Sequence, residues 1–170
     1  NNLLKIWNDN KPVITFDTDN SVSNGLENGT GNPVIQIKQD RKSKFDSRIN
    51  YTVTPENDLV VPGVNNDFIL DPGTVDILAG ETTAQINLNI LPDEKYENNE
   101  TVTIALTTIP AAFDDKASAG DANMSHDYVI TNDDDPPKIN FEGDSISVFE
   151  DDASIRLKVS LTAISGVAST

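Results

Sequence analysis

The stretch Ile130-Thr131-Asn132-Asp133-Asp134-Asp135-Pro136-Pro137-Lys138-Ile139-Asn140-Phe141 decides how this chain folds, because nearly the same order of residues occurs once before. The earlier copy is Ile6-Trp7-Asn8-Asp9-Asn10-Lys11-Pro12-Val13-Ile14-Thr15-Phe16, again an apolar strand end, an Asn-Asp turn, a proline and a new apolar strand. Self-similarity over a long period, here roughly 125 residues, is typical of tandem copies of one domain. The sequence therefore indicates a piece of an array, with a carboxylate-rich joint between copies.

The repeat divides the chain into three parts. Residues 1–11 are predicted to be the last strand of a preceding repeat, and residues 12–135 to form one complete domain. Residues 136–170 carry the first strands of a following repeat. We expect residues 139–162 to be ordered only through contact with the complete domain or with a second molecule, because two strands alone are marginally stable and an open strand edge pairs readily.

Alternation of apolar and polar residues is the main pattern within the complete domain. Strands are predicted at residues 13–16, 33–39, 47–54, 73–78, 83–91, 100–109 and 125–131. The residues expected to face the core are Ile35, Ile37, Tyr51, Val53, Ile86, Leu88, Ile90, Val102, Ile104, Leu106 and Ile130. Residues 110–124 are rich in Ala, Asp and Gly and are predicted to be a mobile loop. About seven short strands without a helical pattern predict an all-β, antiparallel β-sandwich.

The chain is strongly acidic. It has 28 Asp and Glu against 12 Lys and Arg, a net charge of −16, and it has no cysteine. Such a surface repels phosphate, which argues against nucleic acid and anionic membranes as partners. The absence of cysteine excludes disulfides, Cys-based zinc sites and thiol nucleophiles. The acidity then serves either solubility or the binding of divalent cations.

The acidic residues fall in clusters, most of them at predicted strand ends and turns. The clusters are Glu27; Asp67; Asp93, Glu94, Glu97 and Glu100; Asp114 and Asp115; and Asp133, Asp134 and Asp135. Turns at one tip of a sandwich can supply the six to eight oxygen ligands that Ca²⁺ takes, whereas Mg²⁺ prefers fewer carboxylates. Asp also fits turn geometry without any metal. The consecutive run of three Asp favours a cation, because adjacent like charges repel unless they are neutralised.

Several ordered motifs resemble the Calx-beta family. They are Asn66-Asp67-Phe68, Pro72-Gly73-Thr74-Val75, Ala79-Gly80-Glu81-Thr82, the acidic turn of residues 90–100 and the closing run of residues 130–135. The resemblance covers roughly residues 12–135 and resumes at Pro136. It implies an immunoglobulin-like β-sandwich of the kind found in sodium–calcium exchangers, integrin beta-4 and tandem arrays of bacterial surface proteins.

The resemblance also implies a set of calcium ligands. Carried over onto this chain they are Glu27, Asp67, Asp93, Glu97, Glu100, Asp133, Asp134 and, as a further candidate, Asp135. Pro92 and Asn132 stand where strongly binding members of the family often have Asp. Because fewer formal charges usually weaken calcium binding, we expect one or two sites of micromolar to millimolar affinity rather than a four-ion cluster.

An enzymatic function is not expected. His126 is the only histidine, and Ser125-His126-Asp127 is contiguous, whereas the members of a catalytic triad meet through the fold. Glu97 and Glu100 could form the acid pair of a glycosidase, but a small sandwich offers no deep pocket for a sugar chain.

The leading hypothesis is a non-enzymatic, calcium-binding module in a tandem array of a large cell-surface or secreted protein. Its expected partners are calcium ions, neighbouring repeats and a protein partner in adhesion. The alternatives are a passive acidic spacer or adhesin stalk, and a cytoplasmic or membrane-associated calcium-sensing domain of a transporter. Carbohydrate binding is disfavoured because three Tyr and one Trp offer few aromatic platforms.

Overall fold

The computed structural model describes residues 10–29, 31–55, 67–143, 145–151 and 154–167. Its strands are β1 (Val13–Phe16), β2 (Asn24–Leu26), β3 (Val34–Gln39), β4 (Ser47–Pro55), β5 (Phe68–Ile69), β6 (Gly73–Ile77), β7 (Thr83–Asn87), β8 (Asn89–Ile90), β9 (Lys95–Tyr96), β10 (Glu100–Leu106), β11 (Ser118–Ala119), β12 (Ser125–Thr131), β13 (Ile139–Phe141), β14 (Val159–Leu161) and β15 (Ile164–Ser165). A 3-10 turn spans Ala111–Phe113. The predicted strand of a preceding repeat falls almost wholly on residues 1–9, which lie outside the described residues.

Two sheets face one another. One has the order β11-β1-β3-β7 and the other the order β2-β12-β10-β4-β6. The main pairs are antiparallel, whereas the edge strands β11 and β2 run parallel to β1 and β12. This arrangement is the predicted immunoglobulin-like β-sandwich. Among the described residues, no helix is long and apolar enough to cross a lipid bilayer.

The core lies between the two sheets, as strict alternation requires. Most residues predicted to face it are buried, and Tyr51, Val53 and Ile90 are partly buried against it. Further buried residues that complete the core are Ile14, Phe16, Ile49, Phe68, Val75, Ile77, Ala117 and Tyr128. Each predicted run contains a strand, although the run at residues 83–91 is divided at Leu88 into β7 and β8.

The segment predicted to be a loop before the last strand has more structure than expected. Residues 110–124 contain the 3-10 turn and β11, whose residues Ser118 and Ala119 pair with Val13 and Ile14. A two-residue edge strand has no periodicity to detect, because its order comes from the strand that it joins.

The chain continues beyond the sandwich into a second, smaller sheet. β13 and β14 pair antiparallel, and β15 pairs in parallel with β9 of the complete domain. Ile155 and Leu157, which alternate with polar residues ahead of β14, lie outside any strand and are exposed. The segment that follows the small sheet thus contacts the complete domain through β15.

Candidate metal centre

The acidic residues gather at one tip of the sandwich because the strands that carry them end there. Glu27 follows β2, Asp67 precedes β5, and Asp93 lies in the turn between β8 and β9. The backbone ties these segments together: the Glu27 amide donates to the Thr131 carbonyl at 3.0 Å, and the Leu91 amide donates to the Asp67 carbonyl at 2.8 Å. The tip is therefore built from segments far apart in sequence.

Two groups of three carboxylates share one member. Within each group, Glu27, Asp93 and Asp134, and Asp67, Asp93 and Glu97, the nearest oxygens all lie within 4.8 Å of one another. Two oxygens that bind one Ca²⁺ at 2.3–2.6 Å can be at most about 5 Å apart. The spacing therefore suits oxygens that bind a common calcium ion, and Asp93 is placed to bridge two such positions.

Backbone amides fix several of these side chains. The Asp93 amide donates to Glu27 Oε1 at 3.1 Å, and the Lys95 amide donates to Asp93 Oδ1 at 2.7 Å. These bonds hold the Asp93 turn against a glutamate that is only 3% exposed. The carboxylates are thus oriented by hydrogen bonds before any ion is present.

Asn132 braces the other side of the tip. Its side-chain oxygen accepts from the Glu97 amide at 2.9 Å, and its side-chain amide donates to the Asp134 carbonyl at 3.1 Å. Its own backbone amide donates to Asn99 Oδ1 at 3.2 Å. An Asp at this position would lack the side-chain N–H that donates to the Asp134 carbonyl. Asn132 therefore adds no charge to the tip, but its hydrogen bond holds the turn.

Burial and mutual repulsion disfavour the charged forms of these acids. Burial, with the charges of Asp93, Asp67 and Asp134, raises the pKa of Glu27 to about 7 against the opposing hydrogen bond from the Asp93 amide. Burial has the largest effect on Glu100. Together with a hydrogen bond to Asp67 and the charges of Asp67 and Glu97, it raises the pKa of Glu100 to about 8. Burial and then the neighbouring carboxylates also raise the pKa of Asp134.

Two carboxylate oxygens at the tip have no hydrogen-bond partner within the described residues. They are Glu100 Oε2 and Asp134 Oδ2, and both are fully buried. A buried polar atom without a partner costs roughly 1–3 kcal/mol, and more when it is charged. Both oxygens are therefore open to a further partner, such as a hydrogen-bond donor or a cation.

The other predicted ligands occupy different positions. Asp133 is exposed, and its Oδ1 accepts from the Asn28 amide at 3.3 Å. Asp135 is exposed and belongs to neither group of three. The set of metal ligands therefore stays a prediction. The structure brings together Glu27, Asp67, Asp93, Glu97 and Asp134, and Glu100 lies beside them.

Lys95 is a neighbour that sequence reasoning did not single out. Its ammonium pairs with Glu97, and this hydrogen bond is the main reason why the pKa of Lys95 is raised. The signal in the sequence was the charge pattern, a lysine two residues before a glutamate in an acidic turn.

His126 has a structural role in this arrangement. It is buried, its Nε2 lies 3.1 Å from the Val22 carbonyl oxygen, and its ring centroid lies 5.6 Å from that of Phe16. These contacts hold the ring between β1 and the segment that precedes β2.

Comparison with known proteins agrees with this fold. The crystal structure of CBD12 from CALX1.2 matches with a TM-score of 0.56 at 16% identity, over 86% of this chain and 56% of that one. The calcium binding domain CBD12 of CALX1.1 matches with 0.56 at 16% identity, over 71% and 44%. The apo-form Calx CBD1 domain matches with 0.57 at 15% identity, over 74% of this chain and 100% of that one.

The chain thus spans about half the length of the two CBD12 structures, and at this identity the likeness shows the fold. No curated protein is similar enough in sequence to count as a relative. The sequence model of the Calx-beta domain, however, matches residues 47–131 and again residues 132–169. These two matches together cover more than half of the chain, which therefore belongs to the Calx-beta domain family.

Proposed function

We propose that the protein is a non-enzymatic, calcium-binding module in a tandem array of a large cell-surface or secreted protein. The observation that carries the proposal is the pair of carboxylate groups that share Asp93 at one tip. Beside them, two buried oxygens on Glu100 and Asp134 have no hydrogen-bond partner among the described residues, which supports the binding of a cation here.

The chemistry of the donor set favours calcium. The tip offers carboxylates from several turns, and Ca²⁺ accepts many oxygen ligands in a flexible geometry. Glu27, Asp93 and Asp134 would hold one ion, and Asp67, Asp93 and Glu97 a second. Bound there, calcium would supply two positive charges that relieve the repulsion among these acids.

The ion would also order the joint between repeats, residues 132–137. Asp134 belongs to one carboxylate group, and only Asp135, Pro136, Pro137 and Lys138 separate it from β13. Without calcium, repulsion among Asp93, Asp133 and Asp134 loosens this stretch. With calcium, the stretch is tied to the tip, and the angle between successive domains is fixed.

In this proposal, the module lies outside the cell, as part of the array. Its acidic surface keeps long stretches of repeats soluble, since net charge opposes association. Its partners are the neighbouring repeats and a protein bound in adhesion.

Calcium titration followed by calorimetry tests the proposal. We expect binding in the micromolar to millimolar range, and a rise in melting temperature with calcium beyond that with sodium at matched ionic strength. Asp93→Asn should weaken binding most, because Asp93 belongs to both carboxylate groups. Asp134→Asn, which touches one group, should weaken it less.

Asp115→Asn is the matched control, because Asp115 is an exposed acid of the segment before β11, outside both carboxylate groups. It removes the same charge and should leave the titration unchanged. Equal effects of Asp115→Asn and Asp93→Asn, or no calcium effect on melting, would leave the passive acidic spacer as the better description.

A further inference from the structure

The strand β7 is an open edge of the sandwich. It is the last strand in the order β11-β1-β3-β7, and within the described part of the chain it pairs only with β3. The edge is covered again beyond β7, because β5 pairs with β8. An open strand edge presents a row of backbone donors and acceptors that can pair with a further strand.

The register with β3 shows which backbone groups of β7 are free. The Gln39 amide donates to the Thr82 carbonyl at 2.8 Å, and the Leu88 amide donates to the Pro33 carbonyl at 3.3 Å. Because bonded positions alternate along an antiparallel pair, the bonds from residues 82–88 to β3 fall on the even-numbered residues. The residues whose backbone groups point away from β3 are Thr83, Gln85 and Asn87. Among the described residues, these outward groups have no hydrogen-bond partner.

This edge lacks the devices that normally protect one. Residues 82–92 include no charged residue, although 24% of the whole chain is charged. The side chains of β7 that are exposed are Thr83, Gln85 and Asn87, and all three are uncharged. The strand itself also has no proline and no glycine. Natural proteins usually block an open edge with charge, proline or a very short strand.

The other edges of the two sheets are protected. β11 has two residues and β2 has three. β6 carries the exposed Asp76, which is paired with Arg48, and Pro72 stands directly before it. Among the edge strands that the structure describes, β7 therefore combines length with a lack of charge.

We propose that β7 pairs antiparallel with β7 of a second copy of this chain, which joins two four-stranded sheets into one. The two-fold axis passes beside Gln85, so that Gln85 lies opposite Gln85 of the second copy, and Thr83 lies opposite Asn87 of the second copy. Each of these pairs exchanges two backbone hydrogen bonds, which uses all the outward groups of the strand. Both copies contribute the same patch, as a two-fold contact requires.

The strand is close to symmetrical about Gln85, which favours a second copy as its partner. The outer side of the joined sheet would carry uncharged polar side chains only, and on the core side Ala84 would meet Ile86 of the second copy. Two chains of net charge −16 repel one another. An uncharged strand is the place where they can meet at the lowest electrostatic cost.

This contact goes beyond the calcium-dependent joint of the proposed function. It lies along the side of the sandwich and includes no member of the two carboxylate groups. It would therefore join neighbouring arrays side by side, and it needs no calcium.

Cross-linking through single cysteines tests the register, because the chain has no cysteine of its own. In Gln85→Cys the two Cα atoms would be about 5.5 Å apart, within reach of a disulfide. Air oxidation in EDTA should therefore give a covalent dimer on non-reducing electrophoresis. The variant also carries Phe141→Ser, which removes an exposed apolar residue of β13 that could associate on its own.

Thr83→Cys and Asn87→Cys are the matched controls, in the same Phe141→Ser background. Each cysteine would lie roughly 14 Å from its own equivalent, which is too far for a disulfide. Either variant alone should stay monomeric, whereas a mixture of the two should cross-link. Cross-linking of Thr83→Cys alone as readily as of Gln85→Cys would overturn the proposed register.

Sedimentation velocity in EDTA tests the contact without a cross-link. Gln85→Lys places like charges opposite each other and should weaken the association of Phe141→Ser chains by up to about fivefold. Gln36→Lys is the control, because Gln36 pairs with Gln85 on β3, one strand inside the edge. High salt should strengthen the association, since it screens the repulsion between the chains. Equal association of the two lysine variants, or a strict monomer at every concentration, would overturn the proposal whatever the calcium titration shows.

Discussion

Lys95 places a positive charge inside the candidate metal centre, where it competes with any ion for Glu97. Lys95→Met should therefore strengthen calcium binding by up to about fivefold, the factor that roughly 1 kcal/mol of a partly exposed ion pair corresponds to. Calorimetric titration measures the change. Lys138→Met, at an exposed lysine next to β13, removes the same charge as a control. Unchanged or weaker binding in Lys95→Met would show that the ammonium does not occupy the place of the ion.

The raised pKa values of Glu27, about 7, and of Glu100, about 8, predict how stability depends on pH without calcium. Both lie above the ordinary pKa of an unfolded glutamate, so between pH 5 and 8 the folded state holds more protons than the unfolded state. The free energy of unfolding should therefore fall as the pH rises through this window.

Urea unfolding in EDTA at several pH values measures this dependence. Glu27→Gln removes one of the two titrating groups and should flatten the curve, whereas Asp115→Asn should leave it unchanged. A stability that rises from pH 5 to 8 would contradict the burial of these carboxyls.

How far the site could be predicted differs from residue to residue. Glu27, Asp67 and Asp93 could be named because they stand where the motifs resemble the family's ligand positions, and the structure brings them together. The part played by Asn132 could not, because it depends on three hydrogen bonds to residues 97, 99 and 134 that only the folded tip brings into reach. The resemblance treated Asn132 as a lost charge, whereas the structure shows it holding the turn.

At the scale of elements, periodicity predicted the long strands and missed the short ones. β10 and β12 alternate over seven residues each, which is enough to define a face. β2 and β11 have three and two residues, and they are strands only because β12 and β1 offer open edges. Local pattern carries no information about such pairing, since it is set by the tertiary fold.

The turn after β11 depends on a glycine. A Cβ at Gly120 would lie 2.5 Å from Thr15 Cγ2 and 3.2 Å from the Ile14 carbonyl oxygen. Gly120→Val should therefore push β11 away from β1 and destabilise the domain by roughly 1–3 kcal/mol. Urea unfolding measures the loss, and Ala122→Val at a nearby exposed position is the control. Equal stabilities of the two variants would mean that this edge contributes nothing to the fold.

At the scale of the whole molecule, the second copy exposes what the first copy buries. Phe141 pairs with Val159 as Phe16 pairs with Ile37, and Ile139 lies two residues before Phe141 as Ile14 lies before Phe16. Ile14, Phe16 and Ile37 are fully buried, but Ile139, Phe141 and Val159 are 59%, 69% and 58% exposed. Partners in register on a two-stranded sheet lie on one side of it, so β13 and β14 present a single apolar face. The residues beside it line an open groove of about 500 Å³.

This face predicts association of the chain with itself. An apolar sheet face of this kind tends to be covered, and its open strand edges can pair with another molecule. Sedimentation velocity should show association that grows with protein concentration, and Phe141→Ser should reduce it. Ile69→Ser, at a residue of the complete domain that is 50% exposed, is the control and should leave association unchanged. A strict monomer at all concentrations, with fast amide exchange throughout residues 139–162, would mean that neither self-association nor contact with β9 orders the second copy.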